Sequence, residues 1–170
     1  LSASGADGIL HRARAFASLL AALPASDEVE LWAFDQEVVK LGAGAAGEWA
    51  RRIESVLSER GLLGGTNLES ALRSASARAR ERSGARLVLV SDGVATLGKT
   101  ERSALEAAAS GTSTFHALVL GSRQDDATLA ALVAGRGRMV TLPFTEDLDA
   151  DAARAAARLR LPAGLELTVS

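Results

Sequence analysis

Residues 87–93 read Leu87-Val88-Leu89-Val90-Ser91-Asp92-Gly93: four consecutive apolar residues that break into a polar turn. A strand with one wet face alternates apolar and polar side chains. An unbroken apolar run instead marks a strand buried on both faces, as in a parallel sheet covered by helices. Asp-Gly is a turn dipeptide. The reading puts Asp92 at the carboxyl end of an inner strand, where open α/β sheets bind their ligands.

The sequence on either side alternates helix and strand patterns. Upstream, residues 67–82 predict a helix introduced by the tight loop Gly64-Gly65-Thr66-Asn67. Thr66 followed by Glu69 has the spacing of a capping box, with the threonine as the cap. Residues 48–60 predict a helix that Gly61 ends, after a Gly/Ala stretch over 42–47. Val29–Phe34 and Val38–Leu41 flank the polar turn Asp35-Gln36-Glu37 and predict a hairpin, with Asp35 as a turn acid. Residues 6–23 predict an amphipathic helix with Leu10, Ala13, Ala17 and Leu20 on one face, stopped by Pro24.

Downstream, a helix is predicted over 100–110 and a strand over 114–120. A helix capped by Asp125 runs to Gly135, and a strand covers 138–142. Thr145 starts a last helix, with Glu146, Asp147 and Asp149 in its first turn, where the helix dipole favours acids. The expected fold class is α/β, a doubly wound and mostly parallel sheet with helices on both faces. Residues 1–160 form one domain in this reading. Pro162 and Gly164 separate it from Leu165–Val169, which alternates apolar and polar and predicts the first strand of a following segment.

Composition narrows the function classes. Of 170 residues, 48% are hydrophobic and 24% charged, enough to build a core. A net charge of -2 argues against a nucleic-acid partner, which would select a basic surface. The chain has no cysteine, so disulfides and thiolate metal sites are excluded. No apolar run approaches the roughly 20 residues of a membrane span.

Three segments carry candidate chemistry. Ser2 and Ser4 precede the first helix, Thr66 precedes the third, and Asp92 follows the apolar strand. Together they offer three hydroxyls and a carboxylate, with no nitrogen or sulfur. Such an all-oxygen set suits a hard divalent cation, Mg2+ above all, with Mn2+ and Ca2+ as alternatives. Each residue also has a structural reading: Thr66 and Ser4 as helix caps, Asp92-Gly93 as a turn. His11 and His116 have no matching partners. Trp32 and Trp49 read as packing residues, and Arg51, Arg52, Arg78, Arg80 and Arg82 as solvated helix faces.

These segments resemble the metal-ion-dependent adhesion site of von Willebrand factor type A domains. Leu1-Ser2-Ala3-Ser4-Gly5 resembles the end of that family's Asp-x-Ser-x-Ser motif, Gly65-Thr66-Asn67 its threonine loop, and Ser91-Asp92-Gly93 its second acidic loop. The resemblance covers about residues 1–160. Leu31–Asp35 and the stretch after Leu142 are further similar to bacterial relatives of the inter-alpha-trypsin inhibitor heavy chains. The resemblance implies a metal-dependent adhesion or assembly module, not an enzyme, whose protein partner supplies an acidic side chain to the metal. The setting it favours is the bacterial cell envelope or the extracellular space. The motif's aspartate and the first, central strand would lie ahead of Leu1, so strands 29–34 and 87–91 are expected to stand apart.

Two other functions compete. One is a hydrolase or other enzyme on a similar α/β sheet; against it, the chain has no Gly-x-Ser-x-Gly nucleophile elbow, and the loop Gly61–Thr66 lacks the lysine of a phosphate-binding loop. The other is a scaffold domain that works without metal.

Overall fold

A computed structural model of the protein describes residues 5–60, 65–120, 125–143 and 145–160, with side chains from Leu10 onward. Helix α1 (Gly5–Ala22) leads through a turn at Pro24 into the hairpin β1 (Glu28–Phe34) and β2 (Val38–Ala45). Two short helices follow, α2 (Ala46–Ala50) and α3 (Ile53–Arg60), then α4 (Leu68–Arg80) and β3 (Leu87–Val90). The rest alternates: α5 (Arg102–Ala108), β4 (Phe115–Leu120), α6 (Asp126–Val133), β5 (Met139–Leu142) and α7 (Leu148–Arg160).

The apolar strands β3, β4 and β5 form a parallel sheet in that order. β4 lies between the other two and is buried along most of its length, as its sequence Phe-His-Ala-Leu-Val-Leu requires. One face packs on α4, α5 and α6 through Leu68, Leu72, Leu105, Leu129 and Leu132. The other packs on α1 and α7 through Leu19, Ala152, Ala155 and Leu159. The α/β class and the two helical layers agree with the sequence reading.

β1 and β2 pair antiparallel as a separate two-stranded sheet, with an irregularity between Leu31 and Trp32. Among the described residues, β1 and β3 do not pair with each other, as expected. α1 joins the two sheets on one face. Its Phe16 packs both against the cluster holding Val90 of β3 and against the cluster holding Leu31 of β1.

Several local expectations need correction. The buried face of α1 is Ala13, Ala15, Leu19 and Leu20, whereas Leu10 is 37% exposed, because α1 fits between α7 and the α2–α3 pair rather than against a single layer. The helix expected over 48–60 is two, with Arg51 closing the first. β2 runs on through the Gly/Ala stretch to Ala45, since that stretch keeps pairing with β1 back to Glu28. α7 begins at Leu148 rather than Thr145: the Asp147 side chain accepts the amide of Ala150 at 3.1 Å, and Thr145 donates to Asp151 instead. Ser2, Ser4, Gly61 and the tail 161–170 lie outside the described residues.

Candidate functional site

The loops at the carboxyl ends of β1 and β3 and at the start of α4 are tied into one edge. Asp35, just after β1, accepts the amide of Asn67 on its carbonyl at 2.7 Å. The Thr66 amide donates to Thr96 Oγ1 at 2.7 Å, and the Thr66 carbonyl accepts the amides of Thr96 and Leu97 at 3.0 and 3.1 Å. Thr96 and Leu97 belong to the loop that follows β3 and contains Asp92. These bonds use the backbone of Thr66, not its hydroxyl. The structure thus brings the Thr66 and Asp92 loops to the same end of the sheet.

Asp92 sits in a turn held from both sides. Its Oδ1 accepts the amide of Val94 at 3.1 Å, and Ser91 Oγ accepts that of Gly93 at 3.1 Å. Gly93 has φ +80°, and a Cβ there would lie 2.8 Å from Leu129 and 3.1 Å from the Asp125 carbonyl. Only glycine supplies that backbone without strain and fits that space. The Asp92 carbonyl accepts the amide of Asp125 at 2.6 Å, which adds the start of α6 to the edge. Asp125 caps α6 through Thr128, as the sequence predicted. The amide and hydroxyl of Thr128 hold its carboxyl below the usual aspartate range.

The capping box expected at Thr66 is a correction. The cap of α4 is Asn67, whose Oδ1 accepts the amide of Ser70 at 3.1 Å. Glu69 pairs instead with Arg73, four residues along the same helix. Arg73, with the backbone of Lys99, holds the Glu69 carboxyl below its ordinary range and links α4 to the loop after β3. The signal was present in the sequence, since Asn67 is the polar residue immediately before the first apolar residue, Leu68.

Asp35 does more than turn the hairpin. It is buried, accepts the amide of Glu37 at 3.1 Å, and pairs with Arg60 at 2.6 Å. The hairpin turn, the end of α3 and the threonine loop are thereby fixed to one another. The arginines are not all solvated faces: Arg78 grips Glu30 of β1 through Nε and Nη2 at 3.0–3.2 Å. His116 is fully buried in β4, its Nδ1 accepting the amide of Arg138 at 3.1 Å while Nε2 has no partner.

One motif escaped the sequence reading. Gly42-Ala43-Gly44-Ala45-Ala46-Gly47 has Gly-x-Gly-x-x-Gly spacing. Here Gly42–Ala45 end β2 of an antiparallel hairpin and Ala46-Gly47 begin α2, so the junction is not the strand-to-helix turn of a parallel unit. A Cβ on Gly42 would stand 2.6 Å from the Trp49 ring, so this glycine admits a tryptophan, not a dinucleotide.

Thr66 and Asp92 offer oxygen donors alone, which fits a hard cation. Among the described residues, no three His, Asp or Glu side chains cluster as metal ligands, so any cation here would depend on hydroxyls. No described helix is long and apolar enough to cross a membrane.

Comparison with known proteins gives a consistent picture. The sequence profile of the von Willebrand factor type A domain matches residues 4–140. No protein of curated function matches the chain. BatB from Bacteroides thetaiotaomicron has a similar fold, with a TM-score of 0.64 at 15% identity over 88% of this chain and 87% of that one. A von Willebrand factor type A protein from Catenulispora acidiphila aligns with a TM-score of 0.63 at 15% identity, over 89% of this chain and 38% of its own. Proximal thread matrix protein 1 from the mussel byssus gives 0.62 at 12% identity, over 88% and 42%. At these identities the likeness is one of fold.

Proposed function

Since the chain belongs to the von Willebrand factor type A domain family, whose members are in general interaction modules rather than enzymes, we propose that it binds a partner protein through a divalent cation. Mg2+ is the first choice, with Mn2+ or Ca2+ as alternatives. The residues that would hold it are Ser2, Ser4, Thr66 and Asp92. The observation that carries this reading is the meeting of the Thr66 and Asp92 loops, far apart in sequence, at the carboxyl end of the parallel sheet.

The chemistry of such a set is specific. Neutral hydroxyls and one carboxylate cancel little of a divalent charge, so a bound cation stays electron-poor. An acidic side chain from the partner completes its shell, giving a directional bond that chelation reverses. The setting we propose is the bacterial cell envelope or the extracellular space.

A metal-free scaffold is the second reading. It is favoured by one observation: the loops are already joined by protein hydrogen bonds. Partner capture with and without a chelator separates the two. Binding that persists without divalent cations, and in both Thr66→Ala and Asp92→Ala, supports the scaffold. Binding lost in all three conditions supports the metal site.

A further inference from the structure

Glu30 of β1 stands under more positive charge than one carboxylate neutralises. It accepts Arg78 through Nε and Nη2 at 3.0–3.2 Å and the indole N–H of Trp32 at 3.1 Å. Lys40 Nζ lies 3.3 Å from one of its oxygens, and Arg82 Nη2 lies 3.5 Å from the other. Glu81 takes the remaining side of Arg78 at 2.5 Å. Among the described residues, Lys40 and Arg82 therefore share one carboxylate that Arg78 already grips. The Glu30 side chain is 12% exposed, whereas Lys40 is 43% and Arg82 53% exposed. The anion lies beneath and the cations face outward.

The hairpin builds this arrangement locally. Leu31 pairs with Gly42 and Trp32 with Lys40, so Leu41 is the extra residue of a bulge on β2. A bulge re-aims the side chains beside it. Here it sets Lys40 on the face of Trp32 and Glu30, with Nζ 6.0 Å from the Trp32 ring centroid, and leaves Leu41 to the cluster of Trp49. Stability does not account for the result. Exposed ion pairs add little to folding, and cations held against one shared carboxylate repel each other. A second carboxylate at the same place would be drawn by both. Tryptophan and arginine are also the side chains that most often dominate protein contacts.

We propose that Lys40 and Arg82, beside Trp32, form a docking surface for an acidic segment of a partner protein, whose carboxylate seats across the two cations. The surface uses none of Ser2, Ser4, Thr66 and Asp92, so it does not depend on a bound cation. Charge selects the partner class. A second copy would bring the same cationic patch against itself in a twofold contact. A nucleic acid needs a longer run of cations along its phosphates, and the chain's net charge is -2.

The probe is the peptide Gly-Glu-Glu-Leu-Glu-Glu-Gly, added to the full chain in buffer without divalent cations. Its control has glutamine in place of each glutamate. Tryptophan emission follows binding: of the two tryptophans Trp49 is buried and Trp32 half-buried. The expected result is a saturable change with the acidic peptide only, absent from Trp32→Phe. Affinity should fall about fivefold or more between about 0.05 M and about 0.25 M salt. Lys40→Gln and Arg82→Gln should each weaken binding about tenfold, whereas Arg158→Gln, exposed on α7, should leave it unchanged. Circular dichroism checks the fold of each variant, and Lys40→Gln decides alone if Arg82→Gln does not fold. Equal binding of the glutamine peptide, binding of neither peptide, or equal weakening by Arg158→Gln would overturn the proposal. Tighter binding of an oligothymidylate would assign the surface to a nucleic acid, and a salt-sensitive dimer that Lys40→Gln dissolves would assign it to a second copy. Either would overturn the proposed partner.

Discussion

Thr66 and Thr96 hold each other reciprocally: the amide of Thr66 donates to the hydroxyl of Thr96, and the amide of Thr96 donates to the carbonyl of Thr66. This pair ties the loop before α4, which carries Thr66, to the loop after β3, which carries Asp92. Thr96→Ala removes one of the two bonds and leaves the Thr66 amide unpaired. The expected cost is about 1 kcal/mol in urea unfolding, with weaker divalent-cation binding. Thr96→Ser, which keeps the hydroxyl, should restore both. A variant with full stability but equally weakened binding would show that Thr96 acts otherwise.

The position of the cap separates two neighbouring residues. Asn67→Ala should destabilise the chain by about 1 kcal/mol, the usual effect of losing an N-cap. Thr66→Ala should change stability by less than about 0.5 kcal/mol, because its hydroxyl caps nothing. Partner binding should show the reverse ranking, with Thr66→Ala the more damaging. Chemical denaturation of both variants, beside a pull-down with the partner, checks the crossover.

Acid should weaken the contact between β1 and α4. Arg78 first, then Lys40 and Trp32, hold the Glu30 carboxyl at about 2, against an ordinary 4.5. A carboxyl whose value is depressed on folding stabilises the folded state above its unfolded value. That contribution declines as pH falls below 4.5 and is gone below about 2. The stability gap between the native chain and Glu30→Gln should therefore be widest near neutrality and close across that window. A gap independent of pH would assign the effect to shape rather than charge.

His116 should add a second acid-sensitive element in a different range. Burial, then the charges of Arg86 and Arg138, push its value below the ordinary 6.5. The folded state thus favours the neutral ring, and its contribution is complete above 6.5 and lost as pH falls below that value. Unfolding midpoints at pH 7.5 and 5.5 should differ less in His116→Gln than in the native chain. Equal differences would exclude His116 as the cause.

The sequence disclosed the layers better than the local details. Leu87–Val90 and Phe115–Leu120 announced a buried parallel sheet because a strand covered on both faces has no polar alternation to confuse with a helix. The separation of β1 from β3 was implied by the family resemblance, not by any pattern in the two strands themselves. What failed was set by tertiary context. Leu10 and Leu19 both suit a helix's apolar face, and only the position of α7 decides which is covered. Of the candidate site, the sequence pointed to the loops of Thr66 and Asp92, which the structure joins through Thr96 and Leu97, whereas the parts of Asp35, Thr96 and Asn67 in holding them left no mark in it. Hydroxyls and carboxylates that bind backbone amides leave no periodic signature, and such bonds depend on which loops the fold makes neighbours.

Magnesium dependence of thermal unfolding tests the metal site most directly. It is measured on the chain together with its Thr66→Ala and Asp92→Ala variants. A cation bound only by the folded state at a hundred times its dissociation constant adds about 2.7 kcal/mol, or a rise in Tm of roughly 5–10 °C for a domain of this size. The predicted result is that rise in the native site, abolished by chelator and by either substitution. A rise of the same size in both variants, or no rise in any of the three, would contradict the metal-dependent binding function.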